Sequence, residues 1–317
     1  MRTKYLIFTL CSVFLMNFSN AQRKSSYYKV DVGGYLGMAN YLGEIGGKEK
    51  EARPFIWDMK LNQTRWSMGG FARYKINDFI AIQGSLNYLR IQCDDKLSTN
   101  RGRRGRNLNF RNDILDFAVR GEVYIYNIPD VGGTGKYRLD FKSYAFVGVG
   151  AFLHGPKTIY EGSWVKLREL KTEGQTTPYS KVGICIPAGL GFYFTKKRKY
   201  RIGWEMSWRL TFTDYIDDIS TFYADPSTLS SQASIDLANR RDELGDDPSV
   251  PHEDNYQPHT EDGVIVYPKR GNASDNDTYF YMGLSYSYVF RGRNSFYSQN
   301  YNWIGGRGKR DKVKVKF

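Results

Sequence analysis

Cysteine is scarce in this chain, and so is any long apolar run. Three cysteines occur among the 317 residues, and Cys11 sits in an N-terminal apolar stretch. Of the remaining two, Cys93 falls in a predicted loop and Cys185 in mid-strand. Neither a disulfide framework nor a zinc-type spacing is therefore expected. After Met16 no continuous apolar run approaches the roughly 20 residues that a membrane-crossing helix needs, and the mean hydropathy is −0.55. Helical membrane spanning is excluded. A transmembrane barrel is not, because its strands alternate and hide half their residues from a hydropathy window.

What is abundant fits that remaining class. The chain holds 32 Gly, 25 Tyr, 19 Phe and 6 Trp, residues suited to turns, close strand packing and aromatic girdles at a membrane interface. The longest alternating stretch ends at Thr195. Val182, Ile184, Ile186, Ala188, Leu190, Phe192 and Phe194 take one face, and Gly183, Cys185, Pro187, Gly189, Gly191 and Tyr193 take the other. A period of two is the signature of a strand. This run exceeds the roughly 5–6 residues usual in globular strands and suits a tilted membrane-crossing strand.

Met1–Ala21 reads as a secretory signal peptide, with Arg2 and Lys4 before the apolar stretch and Ser19-Asn20-Ala21 as the cleavage site. Residues 22–290 are expected to form the barrel. Seven further alternating segments accompany the run just described: Tyr28–Met38, Arg65–Lys75, Phe79–Ile91, Ile114–Tyr126, Phe141–Leu153, Arg201–Phe212 and Tyr279–Phe290. Connections one, three, five and seven are long, and two, four and six are short. The pattern predicts an all-β, eight-stranded antiparallel transmembrane β-barrel in the outer membrane, with long extracellular loops and short periplasmic turns. Closure is required, since an open sheet edge cannot sit in lipid. Arg73, Arg120, Glu122, Glu205 and Arg209 alternate with outward apolar residues and are expected to pair inside a filled lumen. A soluble β-sandwich or lipocalin-like barrel would also alternate. Its dry core could not take so many charges.

The net charge of +13 invites a nucleic-acid reading. The basic clusters are instead local, at Arg101–Arg106, at Lys196–Lys199 and after Phe290, while the stretch from Asp214 to Asp277 is acidic. An exported chain does not meet nucleic acid, so no such partner is expected. Arg101, Arg103, Arg104 and Arg106 read as an exposed outer loop able to contact phosphates of a surface glycolipid. The acidic loop at about 214–277 reads as solvated.

No residue set announces catalysis. His154 at a strand end has Glu161 and Ser163 nearby only in a loop, with no triad spacing. His252-Glu-Asp254 and His259 lack regular metal-ligand spacing. Gly132–Gly135 joins strands and precedes no helix, so turn geometry explains it better than phosphate binding. No catalytic residue, metal, cofactor or small-molecule substrate is expected. The tail, residues 291–317, is basic and carries Phe296, Tyr297, Tyr301 and Trp303 as possible anchors. Candidate partner-docking residues are Trp303, Arg307, Lys309, Arg310 and Lys312 in the tail and Lys196, Lys197 and Arg198 in a short turn.

Four stretches together resemble a known family: Gly37-Met-Ala-Asn-Tyr-Leu-Gly-Glu44, Tyr74-Lys-Ile-Asn-Asp-Phe79, Trp164-Val-Lys-Leu-Arg-Glu-Leu-Lys-Thr-Glu-Gly-Gln175, and Thr213-Asp-Tyr-Ile-Asp-Asp-Ile-Ser220 with Tyr223-Ala-Asp-Pro226. They are similar to the PorG-like, DUF6089-type outer-membrane barrels of the type IX secretion system. One departure is Glu169-Leu-Lys171, where the family pattern has Pro-Leu-Gly. The resemblance implies a non-enzymatic barrel subunit that anchors the periplasmic ring of the secretion apparatus to the outer membrane. Its implied partners are periplasmic ring proteins or lipoproteins, with membrane lipid and surface glycolipid around it. The alternative is a small surface barrel acting as an adhesin or ligand-binding protein through its long loops.

Overall fold

The computed structural model describes residues 29–46, 61–133, 139–245, 247–261 and 263–290. The stretch expected to be a signal peptide and the tail, with Trp303, Arg307, Lys309, Arg310 and Lys312, lie outside the described residues.

Eight long strands close into one antiparallel barrel. They are β1 (Val30–Leu42), β2 (Arg65–Lys75), β3 (Ile80–Asp94), β4 (Asn109–Ile128), β5 (Leu139–Leu153), then β8 (Val182–Lys196), β9 (Tyr200–Thr211) and β12 (Thr278–Phe290). Between them lie a hairpin, β6 (Lys157–Tyr160) and β7 (Ser163–Lys166), and a second small one, β10 (His259–Glu261) and β11 (Val264–Val266). Among the described residues three short α-helices occur in the long connections: α1 (Arg101–Arg106), α2 (Leu167–Leu170) and α3 (Gln232–Ala238). Each long strand pairs with its neighbour in sequence order, apart from the intervening hairpins, and β1 pairs with β12 from Val30↔Phe290 to Leu42↔Thr278. With β3–β4 also paired, no long strand is left with a free edge.

The alternation sorts side chains as expected. Outward positions such as Leu36, Met68, Leu86, Phe117, Val147, Val149, Ile184, Ile202 and Leu284 are exposed and apolar. Aromatic residues rim this band. Trp66 packs on Tyr88 near one edge, and Tyr200, Tyr286, Tyr288 and Phe290 cluster near the other. Inward positions hold buried charges. Arg73 meets Glu122 at 2.7 Å and Asp31 at 3.2 Å, and Arg201 also pairs with Asp31. Arg120 binds both oxygens of Glu205, and Tyr144 donates to Glu205 at 2.9 Å. Arg209 meets Asp116 at 2.7 Å. The five expected lumen residues thus pair as anticipated, with Asp31, Asp116 and Arg201 completing the set. Buried charges are tolerable only when so matched.

Above the band the polarity inverts. β3 and β4 run past their apolar outer faces to Asp94 and from Asn109. Their outer positions there are polar, and Arg90 bonds Asp113 at 2.5 Å. Their inner positions turn apolar: Leu89, Ile91, Cys93, Phe110 and Ile114 join Ile216, Ile219 and Leu237 in one core cluster. Cys93 is therefore a strand residue, not a loop residue. Both Cys93 and Cys185 are buried.

Candidate functional site

The long connections meet over one end of the barrel, and two arginines hold them. Arg106, at the end of α1, bonds Asp95 at 2.8 Å, the Arg270 carbonyl at 2.8 Å and the Glu44 carbonyl at 3.1 Å. Arg270 in turn donates to Glu173 at 3.1 Å, the Asp218 carbonyl at 2.6 Å and the Ala238 carbonyl at 3.2 Å. Glu173 accepts the Ser220 amide at 2.8 Å and the Thr221 hydroxyl at 2.8 Å. Asp218 accepts from Thr172 and from Tyr179 at 2.7 Å. All four long connections are thereby tied into one roof. A planar guanidinium with five donors is the natural tie for carbonyls and carboxylates arriving from several directions.

Two expectations are corrected here. The Arg101–Arg106 run is not an open loop. Asn100 caps a short helix, Arg101 donates to the Ser249 and Pro248 carbonyls, and Arg106 is buried. The segment after Asp214, read as solvated, is folded. It contributes Ile216, Ile219 and Leu237 to the core and Arg270 to the roof. Its buried acids are Asp214, Asp217, Asp218 and Asp277, while Asp242, Glu243, Glu261 and Asp275 are exposed.

Beneath the roof sits a buried acid cluster. The hydroxyl of Tyr41 lies 2.6 Å from Asp217 and in hydrogen-bond contact with Asp277, and it accepts the Glu44 amide at 3.2 Å. A phenol carries a single hydrogen. Two carboxyl groups on one phenol therefore require that one of them keep its own proton and donate it. Burial pushes Asp277 up to about 7. Burial and the neighbouring Asp277 raise Asp217 well above the carboxylate range and Asp214 to about 8. Asp218 is pushed up by burial to about 6, with Arg270 opposing. Arg106, although buried, is held charged by Asp95.

His154 is buried. It packs on Phe152 and stacks on Tyr179, and burial pushes its pKa down to about 4. Glu161 occupies the tight β6–β7 turn at φ 48°. His259 is on β10, with its ring nitrogen 3.2 Å from the Gln257 carbonyl. Among the described residues no group of three or more His, Cys, Asp and Glu is placed to hold a metal ion.

The opposite end is built from the short turns. Asn77 accepts the amides of Phe79 and Ile80 at 2.8 and 2.7 Å, closing the β2–β3 turn. Lys196, Lys197 and Arg198 are exposed in the β8–β9 turn, where Lys199 donates to the Lys196 carbonyl at 3.1 Å. In the three-residue loop closed by the Lys196↔Tyr200 pair, Lys197 and Arg198 have φ of 52° and 57°, a left-handed pair that Asn-Gly meets at least cost. Lys75, Lys142 and Arg201 lie buried at the same mouth, with Lys142 4.7 Å over the Tyr124 ring. The turn residues of the docking set are thus gathered on one basic surface.

Sequence reading missed Tyr41, Glu173, Asp217, Asp218, Arg270 and Asp277 as members of one site. A signal existed. Tyr41, Glu173, Asp217 and Asp218 fall in three of the four stretches that carry the resemblance, and those stretches meet in the roof.

A family model described as a domain of unknown function (DUF6089) matches residues 4–230. Among solved structures, the N-terminal β-barrel domain of Pseudomonas aeruginosa OprF is similar at 8% identity and a TM-score of 0.34, covering 83% of this chain and 98% of that one. The attachment invasion locus protein Ail of Yersinia pestis, solved with the heparin analogue sucrose octasulfate, is 10% identical with a TM-score of 0.34, covering 83% and 99%. The outer membrane protein AlkL, solved in DMPC bilayers, is 11% identical with a TM-score of 0.30, covering 87% and 98%. No curated protein matches.

Proposed function

Because the chain belongs to the DUF6089 family, a domain of unknown function, its role has to be argued from its own residues, and we propose that it is a non-enzymatic outer-membrane anchor. In this reading the barrel lies in the outer membrane with its roof outside and its basic turns in the periplasm. There it holds the periplasmic ring of a type IX secretion apparatus. The observation that carries the membrane half is the band of exposed Leu, Val, Ile and Phe around a lumen filled with paired charges, the reverse of a soluble barrel. The ring assignment rests on the four resembling stretches.

The docking half is supported by the exposed turn Lys196-Lys197-Arg198, which keeps two long cationic side chains in left-handed backbone. Strain of this kind persists where surrounding structure or function maintains it. The basic tail would add Trp303, Arg307, Lys309, Arg310 and Lys312 to the same side. Affinity capture of the tagged protein from detergent-solubilised envelope tests the proposal. Periplasmic ring proteins should co-purify, and the loss should be large when residues 293–317 are deleted and Lys196, Lys197 and Arg198 are replaced by Ser. Unchanged ring capture by that variant would remove the docking assignment.

A second reading, a surface adhesin or ligand-binding barrel, is favoured by the folded state of the fourth long connection. It would be preferred if deleting residues 227–275 abolished surface binding while secretion continued.

A further inference from the structure

The fourth long connection forms an open pocket of about 290 Å³ against the tip of the β6–β7 hairpin. Its walls include three phenol rings, Tyr160, Tyr223 and Tyr256, and three carboxylates, Asp236, Asp242 and Glu243, and among the described residues no lysine or arginine lines it. Tyr223 and Tyr256 meet edge to face at 6.2 Å. The Tyr160 hydroxyl donates to Asp236 at 2.6 Å, which fixes that ring as a wall. Glu243 already has a cation, Arg240, at 2.7 Å. Asp236 receives only neutral donors, Tyr160 and Gln232. Among the described residues neither Asp236 nor Asp242 forms an ion pair.

That arrangement departs from the paired acids of the lumen and of the arginine ties in the roof. The lumen acids Asp31, Asp116, Glu122 and Glu205, and the roof acids Asp95, Glu173 and Asp218, each face an arginine. A chain with a net charge of +13 has cations to spare, yet this pocket keeps two carboxylates without one, beside three phenol rings. An anion, including a phosphate or sulfate group, would meet repulsion here. A neutral sugar could donate hydroxyl hydrogen bonds to the carboxylates but would leave their charge uncompensated. A cation on an aliphatic stem gains from both, since ring faces attract it and the carboxylates complete the pairing. The volume suits one side chain or a small amine.

We propose that this pocket binds an organic ammonium group, either a free alkyl amine or a lysine side chain of a partner polypeptide. This does not depend on the anchoring role at the opposite end.

Calorimetric titration of the full chain in detergent micelles tests it with three probes: cadaverine, Nα-acetyl-lysine methylamide and the same compound acetylated on Nε. The two ammonium probes should bind with one-to-one saturation, and the Nε-acetylated one at least tenfold more weakly. Tighter binding of the lysine amide would identify a polypeptide source, and equal or tighter binding of cadaverine a free amine. D242N and D236N should each weaken ammonium binding at least tenfold. Y160F keeps the ring and should retain it. Circular dichroism identifies any variant that fails to fold, and D242N, at an exposed position, is the variant least coupled to folding. Absence of saturable binding by both ammonium probes, equal binding of the Nε-acetylated compound, or full affinity in folded D242N would overturn the proposal.

Discussion

Arg270 and Glu173 lie 97 positions apart in the chain and meet at 3.1 Å where neither reaches solvent. Removing one partner leaves the other buried and unmatched, which costs about 3–5 kcal/mol. R270A should therefore loosen the roof while the strands beneath remain paired. Limited proteolysis should cut within residues 212–277 much faster than in the parent, with the barrel fragment surviving. The aspartates beneath Arg270 respond to pH in a definite direction. Asp277 ionises at an ordinary 3.8 when unfolded and at about 7 when buried, so the folded state binds more protons. Its contribution to stability is full below about pH 4 and is lost as pH rises to 7. Asp214 extends the window to about 8. Amide exchange in the roof should accelerate between pH 5 and pH 8.5 beyond the intrinsic chemical rate. D277N should flatten that dependence.

At the scale of single elements, the β8–β9 turn offers a separation of stability from recognition. Lys197 and Arg198 occupy left-handed backbone at a cost of roughly 1 kcal/mol each. Putting an Asn-Gly pair in their place (K197N/R198G) should raise barrel stability by about 1–2 kcal/mol, read as a higher urea midpoint, while weakening capture of periplasmic partners. The strands also mark the limit of what periodicity reveals. Alternation placed β2 and most of the other barrel strands well, because lipid-facing positions demand apolar residues. It stopped β3 at Ile91 because Arg90 and Gln92 break the outer apolar face. The strand nevertheless runs to Asp94, since Leu89, Ile91 and Cys93 still pack inward against Phe110 and Ile114. A strand whose inside and outside exchange polarity looks, by period alone, like a strand that ends. The roof was illegible for another reason. Its ties join Glu44, Asp95, Arg106, Glu173 and Arg270 across irregular loops, and no local spacing encodes such meetings. The burial of His154 was likewise illegible, because the Tyr179 ring that stacks on it lies 25 positions along the chain.

For the whole molecule, the lumen sets what can pass. Arg73, Arg120, Arg201 and Arg209, with their carboxylates and the rings of Tyr144, Phe146 and Tyr193, occupy the cross-section. Eight strands enclose little more than their own side chains. The reconstituted protein should show no stable ion conductance in planar bilayers, and channel events of defined size would contradict a filled interior. The outer band makes the complementary demand. V149R, at mid-strand on the outer face, should cost about 2–4 kcal/mol when the barrel is refolded into lipid vesicles. The same change in a soluble barrel would be nearly free.

The pairing of β1 with β12 has a consequence in time rather than in space. Val30 and Phe290 are partners, so the first and last barrel strands among the described residues to leave the ribosome form the final joint. Until β12 arrives, β1 and β9 both expose unpaired backbone, and neither can be sealed by a neighbour in sequence. Assembly must therefore wait for nearly the whole chain, including the long acidic connection that precedes β12. Such non-local closure is slow. An intermediate stalled before residue 278 would be an open sheet with two reactive edges, the form that an insertion catalyst or chaperone has to hold.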